Sequence, residues 1–127
     1  MKKKYFWAAI LGMLAVLLGA AGAHALQTKI SSVQLGYWDK AVHYQFWHVL
    51  AILLCLSLEE KLSTSLQWPV RFFYAGIIFF SGSLYGLAVR DFHVIPAFVL
   101  GPLTPLGGLC WAAAWLLLAI RLWKTGR

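Results

Sequence analysis

The residues of this chain whose types could do chemistry are few, and the informative ones are His24, His43 and His48, Cys55 and Cys110, Asp39 and Asp91, and the polar groups of Tyr44, Gln45, Ser81 and Tyr85. Histidines on neighbouring helices can bind a metal or ligate a haem, and a serine with a histidine and an orienting carboxylate can make a hydrolase. A metal needs three or four converging ligands, and His24 with His48 supply two. Only Lys29, Lys40 and Arg90 stand near those histidines to neutralise haem propionates. Asp39 and Asp91 leave a triad arithmetically open, yet no G-x-S-x-G elbow offers a nucleophile. No catalytic residue, metal site or cofactor is therefore expected. On a helix, Tyr44, Gln45 and His48 share a face, being three and four positions apart, whereas His43 lies about 140° around from His48. Ser81 and Tyr85, one turn apart, share a stripe in the same way.

The elements that must position these groups are set by the solvent the chain prefers. It is 61% hydrophobic and 12% charged, against about 25% charged in an average soluble domain. A mean hydropathy of +0.74 and seven Trp exclude a disordered chain, a collagen-like repeat and nearly any water-soluble domain. The net charge of +7 would suggest nucleic acid in a soluble protein. Here the basic residues stand at the ends of apolar runs, which favours membrane lipids and no nucleic acid. A membrane helix needs about 20 mostly apolar residues, and such runs occupy residues 5–26, 41–58, 70–89 and 105–123. The expected architecture is one transmembrane domain over residues 1–127, an all-α, integral-membrane, up-and-down four-helix bundle.

Three connections join these runs. Residues 27–40 read as a polar loop, residues 59–69 end on Pro69, which can open a helix at its first turn, and the apolar stretch of residues 94–100 suits the membrane interface. Lys and Arg gather on the cytoplasmic side of membrane proteins. The side shared by both termini and the second loop carries Lys2, Lys3, Lys4, Lys61, Arg71, Arg121, Lys124 and Arg127, and the other carries Lys29, Lys40 and Arg90. Both termini are expected in the cytoplasm. Trp7, Trp38, Trp68 and Trp123 suit interfacial belts, and Trp47, Trp111 and Trp115 an aromatic core. Lys2 to Lys4, the apolar run and Ala23-His24-Ala25 also look like a cleavable signal, but the run from Tyr5 to Ala23 is longer than the roughly 7 to 15 residues of a signal core. Retention of the first helix is expected.

Helices associate in lipid through close contact, which small residues permit. Gly12, Ala15, Gly19 and Gly22 step by three, four and three along the first helix, a heptad-like seam. Gly82 with Gly86, and Gly107 with Gly108 and Ala112, offer similar surfaces on the third and fourth. Polar groups inside spans are costly and usually face the bundle interior. His24, Tyr44, Gln45, His48, Ser81 and Tyr85 all fall in the outer half, so one interhelical polar cluster is expected there. Cys55 and Cys110 sit at depths differing by roughly 13 Å at 1.5 Å per residue, too far for a disulfide.

Four ordered segments carry a family resemblance: Gly19-Ala-Ala-Gly22-Ala-His24-Ala-Leu26, Tyr44-Gln45-x-x-His48-x-Leu50-Ala51, Phe80-Ser81-Gly82-Ser83-Leu84-Tyr85 and Thr104-Pro105-Leu106-Gly107-Gly108. Together they resemble the YgdD-like family of small, mostly four-helix bacterial inner-membrane proteins of unknown function. The resemblance covers nearly the whole chain. It implies a retained first helix and a plasma-membrane location, and it brings no catalytic residue or cofactor. His43 stands where the family does not call for histidine, and Ala21 where it usually has an aromatic residue.

Two functional classes remain open. In one, a non-enzymatic membrane protein uses the cluster to stabilise its bundle or to dock a membrane-protein partner or a second copy. In the other, the cluster holds a small ligand, a lipid headgroup or a proton.

Overall fold

The computed structural model describes residues 2–126. They form four long helices, α1 (Lys2–His24), α2 (Ser32–Leu62), α3 (Gln67–Ala88) and α4 (Ala97–Thr125), each long and apolar enough to cross a membrane. A short 3-10 turn, Arg90–Phe92, lies between α3 and α4. The fold is an all-α, up-and-down four-helix membrane bundle, with chain neighbours packed together. Large apolar side chains cover its outside, among them Trp7, Val16, Leu17, Ile78, Leu109 and Leu116. A surface of this kind belongs in hydrocarbon.

Helix boundaries differ from the hydropathy reading, and each difference has a local cause. The polar residues expected to form the first loop are largely the opening turns of α2. Ser31 caps that helix by accepting from the Gln34 backbone N–H, and the Gln34 side chain accepts in return from the Ser31 N–H at 2.9 Å. At its far end α2 runs on to Leu62 and stops at Ser63, whose φ of 47° ends the helix in the left-handed region. The 31 residues of α2 span about 46 Å at 1.5 Å each, well beyond a hydrocarbon core of about 30 Å.

The stretch expected along the interface is the beginning of α4, which starts at Ala97 rather than Pro105 and contains both Pro102 and Pro105. Each proline removes one backbone donor, a loss tolerated far better in membrane helices than in soluble ones. Pro69 lies in the first turn of α3, where a missing N–H leaves nothing unpaired. That helix is interrupted by one π turn, Ile77–Ser81, closed by the Gly82 N–H on the Ile77 carbonyl.

The core lies between α2, α3 and α4, around Ile52, Cys55, Leu56, Phe73, Ile77, Trp111 and Leu118. Cys55 is buried, Cys110 is half-buried, and both are free thiols. By contrast α1 buries only Ala8, Ala15 and Gly22, one residue every second turn, and lies against α2. The seam follows a heptad period, which keeps the small residues facing one partner. Trp47 and Trp115, expected in the core, are 55% and 46% exposed, and Trp38, expected at the interface, is buried. Successive residues turn by about 100°, so Trp47 points away from the face that buries His48, whereas Trp115, one turn after Trp111, keeps one edge on the core, 5.0 Å from the Phe73 ring.

Candidate functional site

The buried seam of α2 carries the polar chemistry. Gln34, Trp38, Ala41, Gln45, His48, Ile52 and Cys55 recur at alternating steps of four and three, and all are buried. Its first half is polar or aromatic and its second half apolar, so polarity meets the neighbouring helices from the end of the bundle where α1 finishes and α2 begins down to its middle, at the level of Leu11.

Gln45 is the junction of three helices. Its Nε2 donates to the Leu11 carbonyl of α1 at 2.8 Å, and its Oε1 accepts from the Tyr85 hydroxyl of α3 at 2.8 Å. Nearer the end, Trp38 donates from Nε1 to the Leu18 carbonyl at 2.7 Å and packs edge-on against Tyr85, with centroids 4.8 Å apart. Ser81 donates to the Ala41 carbonyl at 2.8 Å. Neither α1 carbonyl lies at a helix end, so each uses its second lone pair for the neighbour. At the loops Gln34 donates to Asp91 at 2.7 Å, and the His93 ring lies 2.7 Å from the Gly86 carbonyl.

A second set of contacts ties α2 and α3 to α4. The His48 imidazole lies flat on the Trp111 indole, with centroids 3.7 Å apart and planes 2° from parallel. Trp111 donates to the Phe73 carbonyl of α3 at 3.1 Å. His48 Nδ1 lies 2.7 Å from the Tyr44 carbonyl one turn back; a carbonyl can only accept, so Nδ1 carries the proton. Ser83 shares a 2.7 Å hydrogen bond with Thr104 of α4. The Tyr44 ring stands near Phe80 and Trp111, at 5.0 and 5.7 Å.

The six residues expected in one cluster are therefore placed unequally. Gln45 and Tyr85 bond directly, Ser81 bonds α2 one turn away, and His48 with Tyr44 faces α4. His24 does not join them. It is exposed in the last turn of α1, about 200° around the helix from Gly22, and so points away from α2. Gln34, Trp38 and Trp111 complete the network, and sequence reasoning missed all three. Extending the four-three seam of Gln45 and His48 backwards along the chain would have found the first two.

The glycines sort by what a side chain would meet. A Cβ at Gly22 would lie 2.8 Å from Trp38 Nε1, one at Gly86 2.9 Å from Leu100, and one at Gly107 would collide with the Phe80 backbone. Gly12 and Gly19 face Val49 and Val42 at ordinary contact distance, 3.4 Å. Gly82 and Gly108, expected at helix contacts, meet nothing closer than 4.0 Å. Gly82 follows the π turn, whose extra residue moves it off the contact face, and Gly108 lies one residue, about 100°, beyond the close approach at Gly107. Gly76 was not anticipated and touches the Trp111 ring.

Among the described residues no group of three His, Cys, Asp or Glu side chains could hold a metal ion.

With this geometry in view, the comparisons with known proteins are consistent across the chain. The model of a protein family of unknown function, DUF423, matches residues 18–108. The chain belongs to the DUF423 family. Among its relatives, a UPF0382 membrane protein of Staphylococcus aureus (strain bovine RF122 / ET3-1) is 42% identical over 116 residues, 91% of each chain. The UPF0382 inner membrane protein YgdD of Escherichia coli (strain K12) is 40% identical over 124 residues, covering 94% of this chain and 91% of the relative. A UPF0382 membrane protein of Staphylococcus haemolyticus is 38% identical over 116 residues. No solved structure matches. The DUF423 match takes in the end of α1, all of α2 and α3 and the first part of α4, which includes every side chain of the Gln45, Tyr85 and Ser81 contacts. The chain is thus a membrane protein of a family whose activity is unknown.

Proposed function

We propose that this chain is a non-enzymatic bacterial inner-membrane protein whose outer-half polar network fixes the register of its helices, leaving the assembled bundle to dock a membrane-protein partner or a second copy. The observation that carries this reading is where the polar groups end. Gln45, Ser81, Trp38 and Trp111 all close on backbone carbonyls of a neighbouring helix, and no buried side-chain nitrogen or oxygen among the described residues lacks a partner. Closed bonds of this kind act as glue between membrane helices. Both termini lie in the cytoplasm in this reading, supported by the excess of Lys and Arg at their end of the bundle.

One observation favours a second reading, in which the site binds a small ligand. With His48 Nδ1 committed to the Tyr44 carbonyl, Nε2 is an acceptor that no donor among the described residues uses.

Thermal melting of the wild-type protein and of His48→Ala in detergent separates the two. Loss of the Trp111 stack should lower the melting temperature in every condition if the network is structural, since core truncation at a well-packed site costs stability directly. Under the second reading the variant melts like the wild type, and stabilisation by one member of a panel of lipids, metals and quinones disappears.

A further inference from the structure

At the end of the bundle opposite the polar network, α1 and α3 begin side by side, and a cleft of about 250 Å³ opens between them, lined by Lys4, Gln67, Val70, Arg71 and Tyr74. Tyr74 donates its hydroxyl to the Lys4 carbonyl at 3.4 Å, which holds the first turn of α1 against α3 and shapes the wall. On the other side of Arg71 a second hollow of about 180 Å³ is lined by Trp68, Phe72 and Ala75. These three recur at steps of four and three and make one outward stripe of α3. Arg71 is the divide between a polar cleft and an apolar trough.

The charges of the cleft are poorly matched from within. Arg71 stacks its guanidinium over Trp68, 5.0 Å from the ring centroid, and has no carboxylate partner among the described residues. Lys4 pairs with Glu59 Oε2 at 3.8 Å with its own side chain 49% exposed, a geometry that binds weakly. Glu59 is the carboxylate that reaches Lys4, and its other oxygen already accepts from the Leu66 N–H at 3.1 Å. Two cations and the Gln67 amide thus face a space of roughly eight water volumes at about 30 Å³ each, level with the helix ends where headgroups lie. The stack on Trp68 holds the planar guanidinium ready for a phosphate.

We propose that this is a binding site for one anionic glycerophospholipid, with its phosphate between Lys4, Gln67 and Arg71 and an acyl chain along Trp68, Phe72 and Ala75. A free phosphate would use the polar cleft alone. The adjoining trough, open to hydrocarbon, selects the amphiphile.

Native mass spectrometry of the full chain in neutral detergent micelles tests it, with dioleoyl phosphatidylglycerol, dioleoyl phosphatidylcholine and inorganic phosphate as probes. Phosphatidylglycerol should bind more tightly than phosphatidylcholine of the same chains. Arg71→Gln and Lys4→Gln should each weaken it about fivefold, the worth of one basic residue at an anionic lipid surface. Arg121→Gln and Lys124→Gln, on α4 and outside the cleft, should leave it unchanged. Equal affinity for the two lipids would overturn the proposal, and so would an Arg121→Gln loss as large as that of Arg71→Gln. Displacement of the lipid by inorganic phosphate would reduce the site to an anion cleft and overturn it equally. All four substituted side chains are exposed, so the variants should fold.

Discussion

Gln45 shows how a single amide can order three membrane helices. Replacing Tyr85 by Phe keeps the ring against Trp38 and removes only the donor to Gln45. Interhelical hydrogen bonds in membrane proteins are worth about 0.6 kcal/mol on average and up to about 1.7, so Tyr85→Phe should destabilise by that range in a reversible unfolding assay. Gln45→Ala should cost more, because it breaks bonds to both α1 and α3 and leaves a void. A sharper pair is offered by two adjacent glycines. Gly107→Ala forces a methyl into the Phe80 backbone and should destabilise by about 1 to 3 kcal/mol, whereas Gly108→Ala meets only the Phe80 ring at 4.0 Å and should change stability by no more than about 0.5. Gln45, His48, Ser81 and Tyr85 were legible in the sequence because polar residues inside an apolar run announce themselves. Trp38 and Gln34 were not, because hydropathy places both outside the membrane run although packing buries them.

The π turn in α3 decides what the second half of that helix presents to its neighbours. Its extra residue offsets everything after Ser81 by about 100° relative to a continuous α-helix, which brings Tyr85 round to Gln45 while Phe73 and Ile77 stay in the core. Deleting Ile78, 67% exposed within the turn, should restore regular helix and swing Tyr85 away. A double-mutant cycle between Gln45→Ala and Tyr85→Phe, with a measurable coupling energy in the wild type, should then show none in the deletion background. No residue type in Ile77-Ile-Phe-Phe-Ser81 marks a π turn, so this feature was invisible before the structure. The boundary errors have a related origin. Hydropathy senses where a chain is apolar, while capping and helix propensity decide where it is helical, and at Ser31 and Pro96 the two disagree.

For the whole molecule, the sequence carried the four-helix architecture plainly, since length and apolarity together leave the bilayer few alternatives. Orientation rests on the asymmetry of Lys and Arg. It predicts that a C-terminal alkaline phosphatase fusion is inactive and a C-terminal fluorescent-protein fusion bright, and the reverse pattern would refute it. Which helices touch was harder to foresee, because every span looks alike on a hydropathy scale. The structure shows that α1 leans on α2 and gives it carbonyl oxygens and small surfaces. From Leu11 to Gly22, no side chain of α1 makes a hydrogen bond to the rest of the molecule. Within that stretch α2 recognises main chain and slenderness, not chemical identity. A synthetic polyleucine insert retaining Gly12, Ala15, Gly19 and Gly22 should therefore substitute for the natural stretch, which leaves its remaining positions open to sequence drift.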